Sequence, residues 1–379
     1  MQEWENWIPH EPGQEVIGFP RLQVLSIVRC SKLVGVLPQH LPSLKRLVFK
    51  RCEMLVVSVP SLPSLCKLEI DACKEVVWKT NVDLSSVSSV VLSDMSSHML
   101  ESERFLPVLP KLEELKIVGC KDLIFFCQSG NSLMKDISYL CQLVIEQCPQ
   151  LLSLVAEEGE QQQHGFPCRL QSLELRDCES LVQLPQVLNN LSSLREISIK
   201  ECSKLVSFPE ASLPSQLRFI SIFKCNALKS LPEAWMHSSN TSLESLSIGF
   251  CDSLTCIATV HLPPNLKRLV THGCNNLQTL IDEEEVSVMD TSFLEYLEIK
   301  HCPSLTSVWS KSELPATLQQ MEIFHCSNLE SLAERVHNNT SLESITICDC
   351  ENLTSLPNDL HQLRHLQKLS ILDCPMKVL

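Results

Sequence analysis

Leu22-Gln23-Val24-Leu25-Ser26-Ile27-Val28-Arg29-Cys30 is the stretch that decides the fold. Leu25 and Ile27 stand two apart, so on an extended backbone both side chains point to one side. Leu22 and Cys30 then turn inward where the chain enters and leaves that strand. The same frame, Leu-x-x-Leu-x-Ile-x-x-Cys, occurs fifteen times, closing next at Cys52, Cys73, Met95, Cys120, Cys148, Cys178 and Cys202. It then closes at Cys225, Cys251, Cys274, Cys302, Cys326, Cys350 and Cys374. The intervals run from 21 to 30 residues, most of them 22 to 26.

A period in that range with this consensus is the signature of leucine-rich repeats, each a short strand plus a return segment. No repeat buries its apolar side alone; stacked neighbours close a common core. The expected fold is an α/β leucine-rich-repeat solenoid, or horseshoe, with a parallel concave sheet of about 15 short strands and an irregular convex side. Residues 1–21 read as a lead-in and 22–379 as one continuous repeat domain. After each Cys comes x-x-Leu, as at Leu181, Leu205 and Leu353, and often a proline, as at Pro209, Pro232 and Pro357. Proline lacks a ladder donor, so it ends the inward segment. Short helical turns are expected on the outer side, for example from Asp359 to Leu363. The fourth repeat (Val87, Val90, Leu92, Met95) is the weakest match, and Thr271 replaces the Ile of the eleventh. The acidic returns at 157–163 and 282–285 read as solvated excursions.

Of 379 residues 44% are hydrophobic, enough for a continuous core, and the net charge of −14 argues against coating nucleic acid or an anionic membrane. The opening is acidic and aromatic where a signal peptide would be basic and then apolar. No apolar run reaches the length of a membrane span. Both features favour a cytoplasmic protein. Twenty cysteines invite a disulfide or zinc reading, but the period places most of them at the closing position, where Met95 substitutes once. Thiol and thioether interchange where a small adaptable apolar group is wanted, so structural, reduced thiols are expected.

The outward positions beside the second Leu and the Ile stack into columns. The first two repeats place a cluster of cations there: Arg29, Lys45, Arg46, Lys50 and Arg51. The ninth to thirteenth carry Phe219, Phe223, Phe250, His272, Tyr296, His301, Phe324 and His325. Rings facing solvent on a strand suit a protein interface, which concentrates aromatics near its centre; the plainer reading is that neighbouring rings cover one another. His301 and His325 have no carboxylate or thiol at metal-site spacing in the sequence, so neither a metal nor a cofactor is expected. No Ser-His-Asp grouping or carboxylate pair marks a catalytic centre, so the chain reads as a non-enzyme.

The cysteine-type repeat, with Ile before it and Leu-x-x-Leu-Pro after it, resembles the leucine-rich-repeat region of plant intracellular nucleotide-binding leucine-rich-repeat receptors, the coiled-coil class of disease-resistance protein. The opening sharpens the likeness: Glu3-Trp4-Glu5-Asn6-Trp7, then Gly18-Phe19-Pro20, then Cys30-Ser31-Lys32-Leu33-Val34-Gly35-Val36-Leu37-Pro38. The resemblance implies recognition of a pathogen effector or a guarded host protein. It also implies that early repeats dock on the nucleotide-binding region of the same receptor and restrain it, a contact the first cation cluster would serve. Nothing here matches the family's G-x-x-x-x-G-K-[ST] loop, so no nucleotide function carries over. The chain reads as the C-terminal sensor portion of a larger receptor, or a short product of one. A substrate-selecting adaptor of a ubiquitin ligase is the alternative, though no F-box precedes the repeats. A cell-surface ectodomain is a third reading, with sequons at Asn190, Asn240 and Asn352, but the closing position holds Cys where secreted plant repeats hold Asn.

Overall fold

The computed structural model describes residues 19–30, 40–52, 54–57, 62–73, 75–78, 83–97, 109–127, 137–156, 166–237, 242–259, 261–281, 293–309, 314–333 and 335–375. The opening before Phe19, the run Lys32 to Pro38, Asn240 and the acidic returns at 157–163 and 282–285 lie outside them. The chain forms two compact units, Met1–Glu179 and Ser180–Leu379.

Fifteen strands carry the repeat. In the first unit they are β1 (Val24–Val28), β2 (Arg46–Lys50), β4 (Lys67–Asp71), β6 (Ser89–Ser93), β7 (Glu114–Val118), β9 (Gln142–Glu146) and β11 (Ser172–Arg176). In the second they are β12 (Glu196–Lys200), β13 (Phe219–Phe223), β14 (Ser245–Gly249), β15 (Arg268–His272), β16 (Tyr296–Lys300), β17 (Gln320–Phe324), β18 (Ser344–Cys348) and β19 (Lys368–Leu372). Neighbours within each unit pair in parallel, and the register never slips: Leu25 faces Leu47, Leu47 faces Leu68, and Ile220 faces Leu246. A one-residue slip would turn both inward side chains to solvent, so burial of one face fixes the register.

The core is the column of landmarks. Leu143, Leu173, Leu246, Leu269 and Ile299 are fully buried, as are Cys148, Cys202 and Cys274. The weak fourth repeat packs like the rest, with Val87, Val90, Leu92 and Met95 all buried. Thr271 is fully buried too, and its hydroxyl accepts the Cys302 thiol at 3.9 Å. A buried hydroxyl without a partner would be costly, and the next repeat supplies one.

The return side differs between the units. In the first it is more regular than the sequence suggests: β3 (Met54–Val57) pairs with β5 (Glu75–Trp78), and β8 (Phe125–Cys127) with β10 (Ser153–Val155). These segments are rich in Val, Phe and Leu and lack proline, so they can continue a ladder. In the second unit the equivalent segments make, among the described residues, single bridges such as Gln183 to Ser207 and Ser307 to Ser331. There Pro185, Pro232 and Pro357 remove the donor, and short helical turns follow at Gln186–Asn190, Ala234–His237 and Leu360–Gln362. No helix among the described residues is long and apolar enough to cross a membrane.

Candidate binding face

The residue just before each closing Cys or Met sets the geometry of the exposed face. In all fifteen repeats it is left-handed: thirteen carry side chains, with φ from 49° to 58°, and Gly119 and Gly273 complete the set. Each non-glycine corner costs about 1 kcal/mol or more. The return is a hydrogen bond. The corner N–H of Arg51 donates to Asp71 O at 2.8 Å, that of Lys224 to Gly249 O at 2.8 Å, and that of His325 to Cys348 O at 2.9 Å. The closing thiol then donates to the last carbonyl of its own strand, as from Cys202 to Lys200 O at 3.5 Å and from Cys326 to Phe324 O at 3.5 Å. The corner therefore swings the Cys inward while aiming its own side chain outward beside the last strand residue.

On the second unit this places rings in a row. Phe223, at the end of β13, meets Phe250 edge-on with centroids 5.0 Å apart, and Phe250 meets His272 at 4.9 Å. His272 stacks on His301 at 5.3 Å, and His301 stacks on His325 at 4.5 Å with only 8° between the planes. Two glycines make room. A Cβ on Gly249 would come within 2.8 Å of the Phe223 ring, and one on Gly273 within 2.6 Å of the Phe250 ring. Phe223 and Phe250 therefore lie across the next repeat, half-buried, while His301 and His325 stay exposed. Burial, together with the neighbouring His325 and His272, pushes the His301 pKa down, favouring a neutral ring in the stack.

Three other aromatic candidates stand outside that row. Tyr296 lies under the Arg268 guanidinium, 3.8 Å from its ring centroid, and donates its hydroxyl to Glu298. Phe324 has the Lys300 ammonium 4.9 Å from its centroid. Phe219 has no ring partner among the described residues and is 46% exposed.

Residues 206–334, which hold all eight of these positions, match the family model described as plant disease resistance protein RPS2-like, leucine-rich repeats. Two proteins of Arabidopsis thaliana are similar over shorter stretches. Probable disease resistance RPP8-like protein 4 is 32% identical over 107 residues, 28% of this chain and 11% of that protein. Disease resistance protein RPH8A is 33% identical over 95 residues, 25% of this chain and 10% of that protein. This is a leucine-rich-repeat region related to plant disease resistance proteins. The matches span about a tenth of the length of those relatives. Among solved structures, the leucine-rich-repeat domain of the type III effector XopL aligns with a TM-score of 0.44 and 24% identity, covering 66% of this chain and 73% of that one.

The cation cluster of this leucine-rich-repeat region is partly matched by the following repeat. Arg46 pairs with Glu69 at 2.8 Å and Lys50 with Asp71 at 3.8 Å; Lys67 also reaches Glu69, at 3.3 Å. Burial works against the Glu69 charge, but Arg46 and Lys67 hold its carboxyl below the usual range. Among the described residues no carboxylate lies within pairing distance of Arg29, Lys45 or Arg51. The second half of the first unit adds a chain of opposite charges on its outward positions, Lys116 to Glu146 at 2.7 Å and Arg176 to Glu174 at 2.8 Å.

All twenty cysteines are free thiols, and most are buried. Burial pushes the Cys120, Cys251 and Cys326 thiols up to about 12 and Cys148 and Cys350 to about 11, so they stay protonated and inert at neutral pH. The sequence shows no carboxylate or thiol at metal-site spacing from His325. The fold brings both, with Asp349 Oδ2 3.1 Å from His325 Nδ1 and Cys348 Sγ 3.4 Å from that same oxygen. The relevant spacing is the repeat period, which sets residues 325 and 349 side by side. Motif spacings taken along one strand or helix cannot register it.

Proposed function

We propose that this leucine-rich-repeat region is a non-enzymatic protein-binding element of a plant immune receptor, working in the cytoplasm. The face formed by Phe219, Phe223, Phe250, His272, Tyr296, His301, Phe324 and His325 takes the partner, a pathogen effector or a guarded host protein. The cations Arg29, Lys45, Arg46, Lys50 and Arg51 dock on the nucleotide-binding region of the same receptor and hold it inactive. Under this reading residues 22–379 act as one domain, and no nucleic acid takes part.

The row of rings from Phe223 to His325 carries the reading. Five rings in mutual contact on strand ends and corners form a continuous platform of aromatic area with little conformational freedom left to lose. Gly249 and Gly273, which clear the space for two of those rings, fit a face shaped for contact. The relatives' names point to disease resistance, and a column of reduced thiols suits a reducing compartment.

The test is a binding assay on the chain with Phe219→Ala and with the Phe223→Ala/Phe324→Ala pair, against the effector or host protein captured by the parent receptor. Loss of about tenfold or more in affinity with the fold retained supports the face. Unchanged binding in both variants removes it. Charge reversal at Arg29, Lys45 and Arg51, the three with no paired carboxylate among the described residues, should raise resting activity in a reconstituted full receptor; unchanged activity rejects the docking role.

A further inference from the structure

The geometry points to a divalent metal site of the zinc class on the last two repeats of the second unit, with Cys348, Asp349 and Asp373 as ligands and His325 holding Asp349 in place. This inference does not depend on the partner-binding reading above, because its readout is metal binding alone.

Cys348 is the last residue of β18, Asp349 its left-handed corner, and Asp373 the corner after β19. Their ligand atoms all lie within 4.8 Å of one another, the one such group of three among the described residues. The corner geometry explains the convergence: Asp349 N donates to Leu372 O at 3.0 Å, which sets the two corners side by side with their carboxylates facing the same way. Parallel strands stand about 4.8 Å apart, so equivalent side chains on adjacent repeats start within reach of one ion.

Charge makes the case for a cation. Asp349 and Asp373 are like charges at equivalent positions of neighbouring repeats, an arrangement that is unfavourable without compensation. On this face Glu201 meets Lys224 at 2.8 Å and Glu298 meets Lys300 at 2.8 Å. Among the described residues no Lys or Arg nitrogen reaches Asp349 or Asp373 within salt-bridge distance; the imidazole of His325, at 3.1 Å from Asp349, is the partner present.

The donor set selects the ion. One thiolate and two carboxylates mix a soft ligand with hard ones, which suits zinc or cobalt and not magnesium or calcium, whose sites are built from oxygen alone. At tetrahedral zinc, sulfur at about 2.3 Å and oxygen at about 2.0 Å stand roughly 3.5 Å apart. Cys348 Sγ and Asp349 Oδ2 are 3.4 Å apart already. His325, whose Nδ1–H donates to Asp349, fixes the carboxylate and is itself held by stacking on His301 at 4.5 Å. Three protein ligands leave a fourth position for water. A bound ion would tie β19 to β18 beside Leu369 and Leu372, which are 44% and 53% exposed.

The experiment uses the reduced full-length chain carrying Cys66→Ser, Cys141→Ser, Cys168→Ser, Cys256→Ser and Cys374→Ser, which removes the other thiols that are not buried. Cobalt titration should give one equivalent bound, with a thiolate-to-cobalt charge-transfer band and the visible bands of four-coordinate cobalt, displaced by zinc. Cys348→Ser should abolish the charge-transfer band. Asp349→Asn and Asp373→Asn, which keep a residue tolerant of the left-handed corner, should each weaken zinc at least about tenfold, and His325→Gln by about ten- to a hundredfold. Zinc should also slow amide exchange in β19. Absence of stoichiometric binding, a charge-transfer band retained in Cys348→Ser, or binding of calcium but not zinc would each overturn the site.

Discussion

The two units build the same core and cover it differently. On the first, the exposed face of the sheet is laced by charge: Arg46 and Lys67 on Glu69, Lys50 on Asp71, Lys116 and Arg176 on Glu146. On the second, the equivalent columns hold the ring row from Phe223 to His325, with cations moved beside the rings at Arg268 and Lys300. The return sides diverge as well, paired strands against proline-ended turns. The inward positions are under one constraint, burial against the next repeat. The outward positions are under none from the core, so each unit is free to specialise there. What differs between the units is therefore where function is to be sought.

Breaking the shared core should affect both units alike. Leu143→Ala in the first and Leu269→Ala in the second each remove a fully buried side chain and should cost about 2–5 kcal/mol. Denaturant melts with amide exchange on the flanking strands would read it. A loss confined to one of the two variants would contradict a common packing scheme.

A methyl group should next separate the faces. Gly273→Ala sets a Cβ within 2.6 Å of the Phe250 ring at a corner with φ of 64°, so the ring must leave its slot. The expected cost is about 1–3 kcal/mol. Gly119→Ala, at an equivalent corner of the first unit, meets a carboxylate oxygen of Asp94 at 2.5 Å, the far end of a more mobile side chain, and should cost less. Thermal melts of the two variants rank them; equal losses would mean that the ring row adds nothing beyond backbone strain.

Acid should sharpen the contrast with a smaller effect. The Glu69 carboxyl is held below its ordinary range, so it stabilises the fold at pH values above the unfolded carboxylate pKa. That contribution is lost as pH falls through the folded value. Glu69→Gln should accordingly cost about 0.5–1 kcal/mol at neutral pH and nothing measurable in strong acid, because Arg46 is half exposed and the pair is screened. A penalty that persists unchanged in acid would assign Glu69 a packing role instead.

Thiol labelling gives the finest distinction, a difference in rate with no change in stability. A bulky alkylating reagent on the native chain should modify the exposed Cys66 and Cys168 and spare the buried column from Cys30 to Cys350. Labelling of Cys202 or Cys225 before global unfolding would mean that the repeats are wrongly registered.

Much of this was legible from residue order. The frame at Leu22 to Cys30, repeated at a near-constant interval, specifies strand, inward face and parallel stacking. Even the deviant repeats at Met95 and Thr271 obey it, because burial tests only size and polarity at each position. The exposed rings and cations were legible as positions on the outward side. Their organisation was not: that Phe223, Phe250, His272, His301 and His325 touch in sequence, while Phe219, Tyr296 and Phe324 do not join them, depends on which strand position or corner each one occupies. The left-handed corner itself has no sequence mark, since Arg, Ala, Gln, Glu, Lys, Phe, His and Asp all occupy it.

Residue order alone thus settled the repeat, its inward column and the side left for other molecules, because apolar periodicity is a local property that burial enforces in every turn. Tertiary structure decided which outward residues meet across repeats. The Arg46–Glu69 pair, the slots over Gly249 and Gly273, and the approach of Asp349 to His325 and to Asp373 each join residues about one period apart. Such neighbours exist only once the turns have stacked, because hydrogen bonding between parallel strands, not proximity along the chain, brings them within reach.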